Sequence, residues 1–447
     1  MKFLLVNLNW ANLASPKTFK FHFALPPLDL LILRNIAISN GHEARILDGT
    51  VDSLNSADKQ TAWADFVLVT TTPYHMWQCP NVEWEVIRNQ ISIFPREKTI
   101  LLGLHGTVFP EQTLRETGAY ALIRKEPERS FQEYLKIKDW FNVASVSYLN
   151  NGVYYENPNA ALSNLQECIV NEYSLDISKY TYFLLGKKAG IFESSRGCPW
   201  KCTFCDQEMF SWKYRTKEPE SFAEEVLRGV NQTGMQHAYF YDLEFTIQGK
   251  RTLEVCDQLI KRNIQKKIKW CCQTRADMVN DENLEALKAA GCKLIHFGVE
   301  SAVPAVLKAT NKKITLEKIL HGVKLAKKHG FQTACFFMFG LPGENENDFL
   351  TTLEFARDLN PTYASFHFAV PFPGTPLYKQ YLEEKNLKWG IWPATYFNKW
   401  SHAEIRRFLS RAYCKYYLFP KKIEPREFIY RMGNLGPKFQ YFASIVK

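Results

Sequence analysis

Three cysteines fall within eight residues, Cys198, Cys202 and Cys205, in the run Arg196-Gly-Cys-Pro-Trp-Lys-Cys-Thr-Phe-Cys. Soft thiolates select zinc or iron–sulfur clusters. A structural zinc site normally takes four ligands, commonly as two spaced pairs. No second Cys-x-x-Cys pair exists here, and no His lies between positions 106 and 236. Three ligands on a cube-shaped cluster leave one iron open, which suits substrate or cofactor binding better than structural closure. The other eight cysteines are scattered, at 79, 168, 256, 271, 272, 292, 335 and 414. They read as small buried hydrophobes, and a chain with this usage is not a disulfide framework.

The triplet directly follows an apolar run, AGIFESSRG, that opens a repeating series from Lys188. Five further strand-like runs follow: HAYFYDLEF, IKWCCQTRAD, KLIHFGVES, TACFFMFGLPG and YASFHFAVPF. Amphipathic segments at 219–233, 250–263, 281–290, 315–329 and 344–359 separate them. Near-continuous apolar strands alternating with helices predict a partial or complete β/α barrel over 188–390. Barrel chemistry sits at the C-terminal strand ends. The polar residues there are Arg196, Asp242, Glu244, Gln273, Arg275, Glu300 and Ser301.

Residues 1–140 show a separate strand–helix alternation, with strands at 4–9, EARILDG, 64–72, 99–106 and 119–126, and a helix in 26–43 ending at Gly41. That spacing predicts an open, Rossmann-like parallel sheet. Its ligand crevice would lie beyond Asn7–Trp10, Thr70–Thr72 and Leu104–Thr107. Residues 141–187 read as a linker with a small hairpin, and 391–447 as a basic, aromatic-rich helical region. The fold class is therefore α/β. Of 447 residues, 46% are hydrophobic and 23% charged, which excludes a disordered or fibrous chain. The net charge of +10 belongs mainly to Lys399–Lys447, with 11 Lys/Arg against 3 Asp/Glu. No apolar stretch is long enough for a membrane helix. The N-terminus reads as a strand and not a signal peptide, which places the chain in the cytoplasm.

Taken together, residues 188–385 resemble the radical S-adenosylmethionine (SAM) superfamily, whose Cys-x3-Cys-x2-Cys ends the first barrel strand. The other motifs match in order. Phe204 matches the aromatic beside the SAM adenine. Asp242 and Glu244 match the acidic second-strand element near the SAM amine. Gln273 and Arg275 resemble the third-strand polar signature. Glu300 and Ser301 match the fourth-strand motif near the ribose, and Gly340 and Gly343 the glycine turn near the adenine. Pro371-Phe-Pro-Gly374-Thr375 matches the end of the sixth strand. The resemblance implies a [4Fe-4S] cluster on Cys198, Cys202 and Cys205. It also implies reductive cleavage of SAM to a 5′-deoxyadenosyl radical, and an external one-electron reductant such as flavodoxin or ferredoxin. Structural roles stand beside these assignments: a strand-end carboxylate at Asp242 or Glu300, a salt bridge at Gln273 or Arg275, plain turns at the glycines.

The first domain is similar to the cobalamin-binding domain fused to many radical SAM enzymes, through PPLDLL and GHEARILD. Leu104-His105-Gly106-Thr107 stands in place of Gly-Gly-Pro-His, and Lys125-Glu126-Pro-Glu128 in place of Gly-Glu-x-Glu. The Asp-x-His-x-x-Gly motif that supplies a cobalt ligand elsewhere is absent. The resemblance implies cobalamin contacts at Trp10, Thr71, Thr72, His105, Gly106, Thr107 and Glu126, with no His on cobalt. A vestigial lid is the plainer reading of the domain. A strand-end cap is the plainer reading of His105. Trp10, Tyr74 and Trp77 either shape a face over the corrin or belong to the core. The implied activity is methyl transfer to an unactivated carbon of a small-molecule or lipophilic metabolite, with cobalamin methylated by SAM. The alternatives are a cyclase or rearrangement enzyme, an RNA-modifying enzyme using the basic tail, and a non-catalytic cluster-binding protein. Methylthiolating enzymes that act on RNA bring three further N-terminal cysteines. Here only Cys79 and Cys168 precede the triplet, which disfavours nucleic acid as a partner.

Overall fold

The computed structural model describes residues 1–9, 24–54, 57–78, 83–387, 395–396 and 399–418. Trp10, Cys79 and the tail from 419 onward lie outside the described residues. Five strands form the first parallel sheet: β1 (Lys2–Asn7), β2 (Glu43–Asp48), β3 (Phe66–Thr70), β4 (Thr99–Leu102) and β5 (Ala121–Ile123). Their order is β2-β1-β3-β4-β5. Alternate residues of β1 enter separate cores, Phe3 and Leu5 on one face and Leu4 and Val6 on the other. Both faces are covered, which explains the unbroken apolar run. Pro26 and Pro27 precede helix α1 (Leu28–Ser39), whose apolar stripe packs with Phe3 and Leu5. The order switches sense between β1 and β3.

Two boundaries differ from the sequence reading. Gly103, at φ +103°, ends β4, and the next five residues form the short helix α2 (Leu104–Val108). His105 is therefore helical, not part of a glycine turn. The hairpin expected after residue 141 is present as β6 (Val146–Asn150) and β7 (Val153–Glu156). It pairs antiparallel onto β5 and extends the first sheet to seven strands.

The second sheet has six parallel strands in sequence order: β8 (Ala189–Phe192), β9 (His237–Phe240), β10 (Lys269–Thr274), β11 (Cys292–Glu300), β12 (Gln332–Phe339) and β13 (Tyr363–Phe368). The crossovers are α3 (Pro219–Thr233), α4 (Gly249–Lys261), α5 (Asp281–Ala289), α6 (Leu316–Lys328) and α7 (Glu346–Leu359). Their ends follow local chemistry. Pro219 opens α3 and Gly234, in the left-handed region, closes it. Reciprocal capping boxes start α5 at Asn280 and α7 at Asn345. The sheet is an open, partial barrel with β8 and β13 as its edges.

The β13 edge is closed by side chains. Helix α8 (His402–Tyr417) begins with a Ser401–Glu404 capping box and lies along the strand. Tyr413 Oη accepts from Phe366 N–H at 3.0 Å and lies 3.3 Å from its carbonyl. Tyr417 Oη does the same at Ala364, at 2.9 and 3.0 Å. Residues four apart on a helix and two apart on a strand have nearly equal rise, about 6.0 and 6.6 Å. Two hydroxyls thus replace the neighbouring strand that the edge lacks. Among the described residues, no helix is long and apolar enough to cross a membrane.

Replacing both Tyr413 and Tyr417 with Phe keeps their packing but leaves those edge groups without partners. Each change should destabilise the fold by about 1–3 kcal/mol. Urea unfolding of the double variant checks this, and an unchanged midpoint would show the hydroxyls to be dispensable.

Candidate active site

The triplet occupies the loop that follows β8. Gly197, at φ +83°, precedes Cys198, and a Cβ there would lie 2.0 Å from the Lys213 carbonyl oxygen. Only glycine lets the two arms of the loop approach this closely. Gln207 ties the loop together, accepting from Cys198 N–H at 2.9 Å and donating to the Trp200 carbonyl at 3.1 Å. None of the three is in a disulfide; Cys202 is buried and Cys198 and Cys205 are half-buried. Burial pushes the Cys198 thiol up to about 12 and raises that of Cys202. A thiol in such a setting is inert unless a metal takes its proton's place. Among the described residues, no three His, Cys, Asp or Glu side chains converge as ligands of one ion would. A cubane is larger, and its ligands stand around it. Three thiolates on one short loop are the donor set of a cluster with one open iron.

Beside the loop lies a packed apolar cluster. Phe204 packs against Val306, Leu341 and Ala369. Leu341 is set between Gly340 and Gly343, both at positive φ. Near this cluster lies one buried ion pair, Lys312 Nζ to Glu300 Oε1 at 2.9 Å. Lys312 Nζ also lies 5.9 Å from the Phe204 ring centroid. The strand makes room for this pair. A register shift at Gly298/Glu300 puts Glu300 at φ +69°. A Cβ on Gly298 would fall 2.5 Å from the Glu300 carboxylate and 2.8 Å from Lys312 Nζ. Bulges of this kind re-aim side chains near active sites. Ser301 faces elsewhere and donates to Glu344 Oε1 at 2.7 Å. Lys312 was not singled out in the sequence, where it is one Lys of a Thr-Asn-Lys-Lys turn.

Other predicted SAM contacts have different partners. Asp242 is fully buried and accepts from Ser194 N–H at 2.6 Å, from Ser195 N–H at 3.1 Å and from the Ser194 hydroxyl. It braces the turn after β8. Glu244, held near 7 by burial, accepts from Arg275 N–H at 2.9 Å and from the Thr274 hydroxyl. Arg275 pairs with Asp277 at 3.0 Å, donates to the carbonyls of Lys312 and Lys313, and lies 4.0 Å over the Trp200 ring. Gln273 is half-buried, and its Oε1 accepts from Tyr239 Oη at 3.0 Å.

The two sheets meet at a buried charge network. Arg196, wholly inaccessible, makes a fork to Glu193 at 2.6 and 3.0 Å and pairs with Glu128 at 2.8 Å and Glu126 at 3.4 Å. Burial raises the Glu128 carboxyl. Burial would raise Glu193 as well, but the Arg196 and Lys217 cations outweigh it and hold that carboxyl low. Arg215 makes a second fork to Glu126. Tyr74 donates to Glu193, and Tyr241 Oη donates to the His75 carbonyl at 2.6 Å.

Most of the predicted cobalamin residues have partners within the first domain. His105 is fully buried, stacks on Trp84 at 5.2 Å and lies 3.2 Å from Thr72 Oγ1. Thr71 donates to the Leu102 carbonyl, and the Thr72 carbonyl accepts from Trp77. Thr107, half-buried, accepts from Lys125 N–H, and a Cβ on Gly106 would meet Leu122. Glu126 is held by Arg215 and Arg196 across the contact. Tyr74 and Trp77 belong to the core at the domain contact.

Residues 192–356 match the family model of the radical SAM superfamily. Those residues carry a radical SAM domain, which implies SAM and a [4Fe-4S] cluster. The chain is 29% identical over 414 residues to an uncharacterized methyltransferase of Pyrococcus horikoshii, covering 89% of this chain and 88% of the relative. It is 30% identical over 294 residues to the anaerobic magnesium-protoporphyrin IX monomethyl ester cyclase of Rubrivivax gelatinosus, covering 63% of this chain and 53% of that enzyme. Two solved structures share the fold at 18% identity. The cobalamin-dependent S-adenosylmethionine radical enzyme OxsB, with aqua-cobalamin and S-adenosylmethionine bound, has a TM-score of 0.73 and covers 99% of this chain and 72% of its own. The methyltransferase TsrM from Kitasatospora setae, with cobalamin and a [4Fe-4S] cluster, has a TM-score of 0.70 over 86% of this chain and 75% of its own.

Arg196→Met removes the guanidinium and leaves three carboxylates buried together. It should cost about 3–5 kcal/mol, read as a lowered unfolding midpoint. Gly197→Ala should fold but bind less iron after anaerobic reconstitution, because the loop arms are forced apart. Full iron content in Gly197→Ala would remove the steric argument.

Proposed function

We propose that this chain is a cobalamin-dependent radical SAM methyltransferase acting on an unactivated carbon of a small, largely apolar molecule. One observation carries the reading: the C-terminal crest of the first sheet is docked, through Arg196 and Tyr241, against the same end of the second sheet that holds the cysteine loop. A group held on the crest and a group held on the loop can then reach one substrate. The fold likeness to OxsB and TsrM, which runs through both sheets, supports cobalamin as the crest's ligand.

When bound, the cluster supplies the electron that cleaves SAM, and cobalamin carries the methyl group. The chain's own residues position and exclude. Cys198, Cys202 and Cys205 would hold the cluster. Phe204 would flank the flat adenine. Glu300 would meet the amine, and Lys312 the carboxylate, of the methionine end. The packed walls keep water from a reactive intermediate. The electron comes from an external one-electron reductant such as flavodoxin or ferredoxin. Cyclisation without methyl transfer is the second reading, favoured by the cyclase relative.

Anaerobically reconstituted protein should hold about four irons. Ala at Cys198, Cys202 or Cys205 should remove both iron and SAM cleavage, whereas Ala at Cys256 or Cys335 should remove neither. A triplet variant that keeps a full cluster and cleaves SAM overturns the cluster assignment. Lys312→Met and Glu300→Gln should keep their iron and lose about 1–3 kcal/mol of SAM affinity, measured by equilibrium dialysis. Protein from cobalamin-fed cells should carry corrinoid by absorbance, base-off and without imidazole on cobalt. Corrinoid-free protein that cleaves SAM normally would end the methyltransferase reading and leave the radical SAM assignment standing.

A further inference from the structure

The cysteine loop carries an exposed lysine between its first two cysteines. Lys201 Nζ lies 4.9 Å from the Trp212 ring centroid. Three further exposed lysines, Lys213, Lys308 and Lys313, flank the loop. Lys213 follows Trp212, and its carbonyl is the group packed on Gly197. Lys308 and Lys313 border a turn that is bonded to the loop. The Thr310 carbonyl accepts from Thr203 N–H at 3.0 Å, and Asn311 donates to the Lys201 carbonyl at 2.7 Å. Arg275 links the far end of that turn, at the Lys313 carbonyl, to the Trp200 ring.

Acids do not balance these charges. In the loop, residues 197–213, Asp206 is wholly buried and half-buried Glu208 accepts from Trp212 Nε1 at 3.1 Å. The segment 304–313 contains no acid, and Lys312 within it is engaged by Glu300. Among the described residues, none of the four exposed lysines pairs with an acid. Trp212 is a second observation. Ser211 and Trp212 sit at φ +50° and +56°, in the left-handed region. Residues with side chains rarely adopt it, and bulky ones least. That strain holds an indole half-exposed beside Lys201. Strain of this kind gathers at functional sites. Trp is enriched at the centre of protein interfaces, and a field of one sign steers partners of the other.

We infer that this face, with Lys201, Lys213, Lys308 and Lys313 around Trp212, is where an acidic electron-carrier protein docks to reduce the cluster. The inference rests on the proposal that Cys198, Cys202 and Cys205 hold a reducible cluster. Two of those cysteines are half-buried, so the loop brings them near the surface that the lysines flank. The step is a single electron transfer: the carrier's cofactor is oxidised by one electron, the cluster is reduced by one, and no bond forms or breaks.

The test uses the full chain with its cluster reconstituted, and reduced flavodoxin, an acidic protein, as the probe. Stopped-flow absorbance follows cluster reduction. In the parent the second-order rate should fall steeply between about 0.01 and 0.5 M salt, as the Debye length shrinks from about 30 Å to a few ångström. Lys213→Glu, Lys308→Glu and Lys313→Glu combined should slow reduction at low salt about tenfold or more and flatten the salt dependence. Lys266→Glu, Lys269→Glu and Lys293→Glu combined carry the same net charge but lie at the opposite, N-terminal end of the strands, and should leave the rate near that of the parent. Trp212→Asn, which tolerates the same backbone, should also slow the carrier. Iron content, and reduction by methyl viologen radical as a small reductant, report cluster integrity in every variant, and viologen should reduce the Lys213, Lys308 and Lys313 variant no more slowly than the parent. Equal rates for parent and that variant, equal slowing by the two combined variants, or no reduction of the parent by flavodoxin each overturns the inference. So does tight binding of an RNA oligonucleotide that the same three lysines carry while flavodoxin reduction ignores them. A parent that holds no cluster, or whose cluster viologen cannot reduce, counts instead against the proposed function.

Discussion

One guanidinium holds the two halves of the molecule in register. Arg196 stands where the first strand of the second sheet ends, two residues before the first cysteine, and it is buried among Glu193, Glu126 and Glu128. Three carboxylates do not share a dry interior without a cation between them. Two of them come from the first domain. Folding of the cysteine loop and docking of the first sheet are therefore one event, since the charge that completes one completes the other. Replacing a buried network with apolar groups can be neutral in principle. Arg215 also pairs with Glu126 and Lys217 acts on Glu193, but removing Arg196 takes the paired cation from buried Glu128, and that is not neutral.

Around this anchor the site divides its residues between shape and contact. Asp242, Glu244 and Arg275 are polar, sit at strand ends and have all their bonds inside the protein. They set the course of the backbone. Gly197 and Gly298 matter for the side chains they lack, one admitting a carbonyl and the other an ion pair. Among the described residues, three thiols and the Lys312–Glu300 pair stand beside the apolar Phe204 cluster. A site built this way holds its geometry before any ligand arrives, which radical chemistry rewards.

Much of this was legible in the sequence because it is local. The six strands of the second sheet and the helices between them follow from apolar runs and their spacing, and the cysteine loop from its ligand count. The first sheet was legible as an alternation, but its details were not. Gly103 reads as part of a strand until its positive φ is seen, and that one turn moves His105 from a loop into a packed helix. Side-chain direction was the other loss. Asp242 and Glu300 look alike as strand-end acids, yet Asp242 points back to the Ser194–Ser195 turn while a bulge turns Glu300 to Lys312. Lys312 itself lies twelve residues from its partner and belongs to no pattern. Such pairings depend on which loop covers which strand, and no single segment encodes that.

The tyrosine-sealed edge of β13 has a consequence for the life of the chain in the cell. A strand lost from a sheet edge uncovers another strand, but α8 is a separate unit held partly by two hydroxyl pairs. A chain cut or stalled before residue 402 would keep its parallel sheet and expose a row of bare amides and carbonyls on an aromatic strand. That is a template for intermolecular strand addition. Proteolytic trimming would thus favour aggregation without touching a residue of its site.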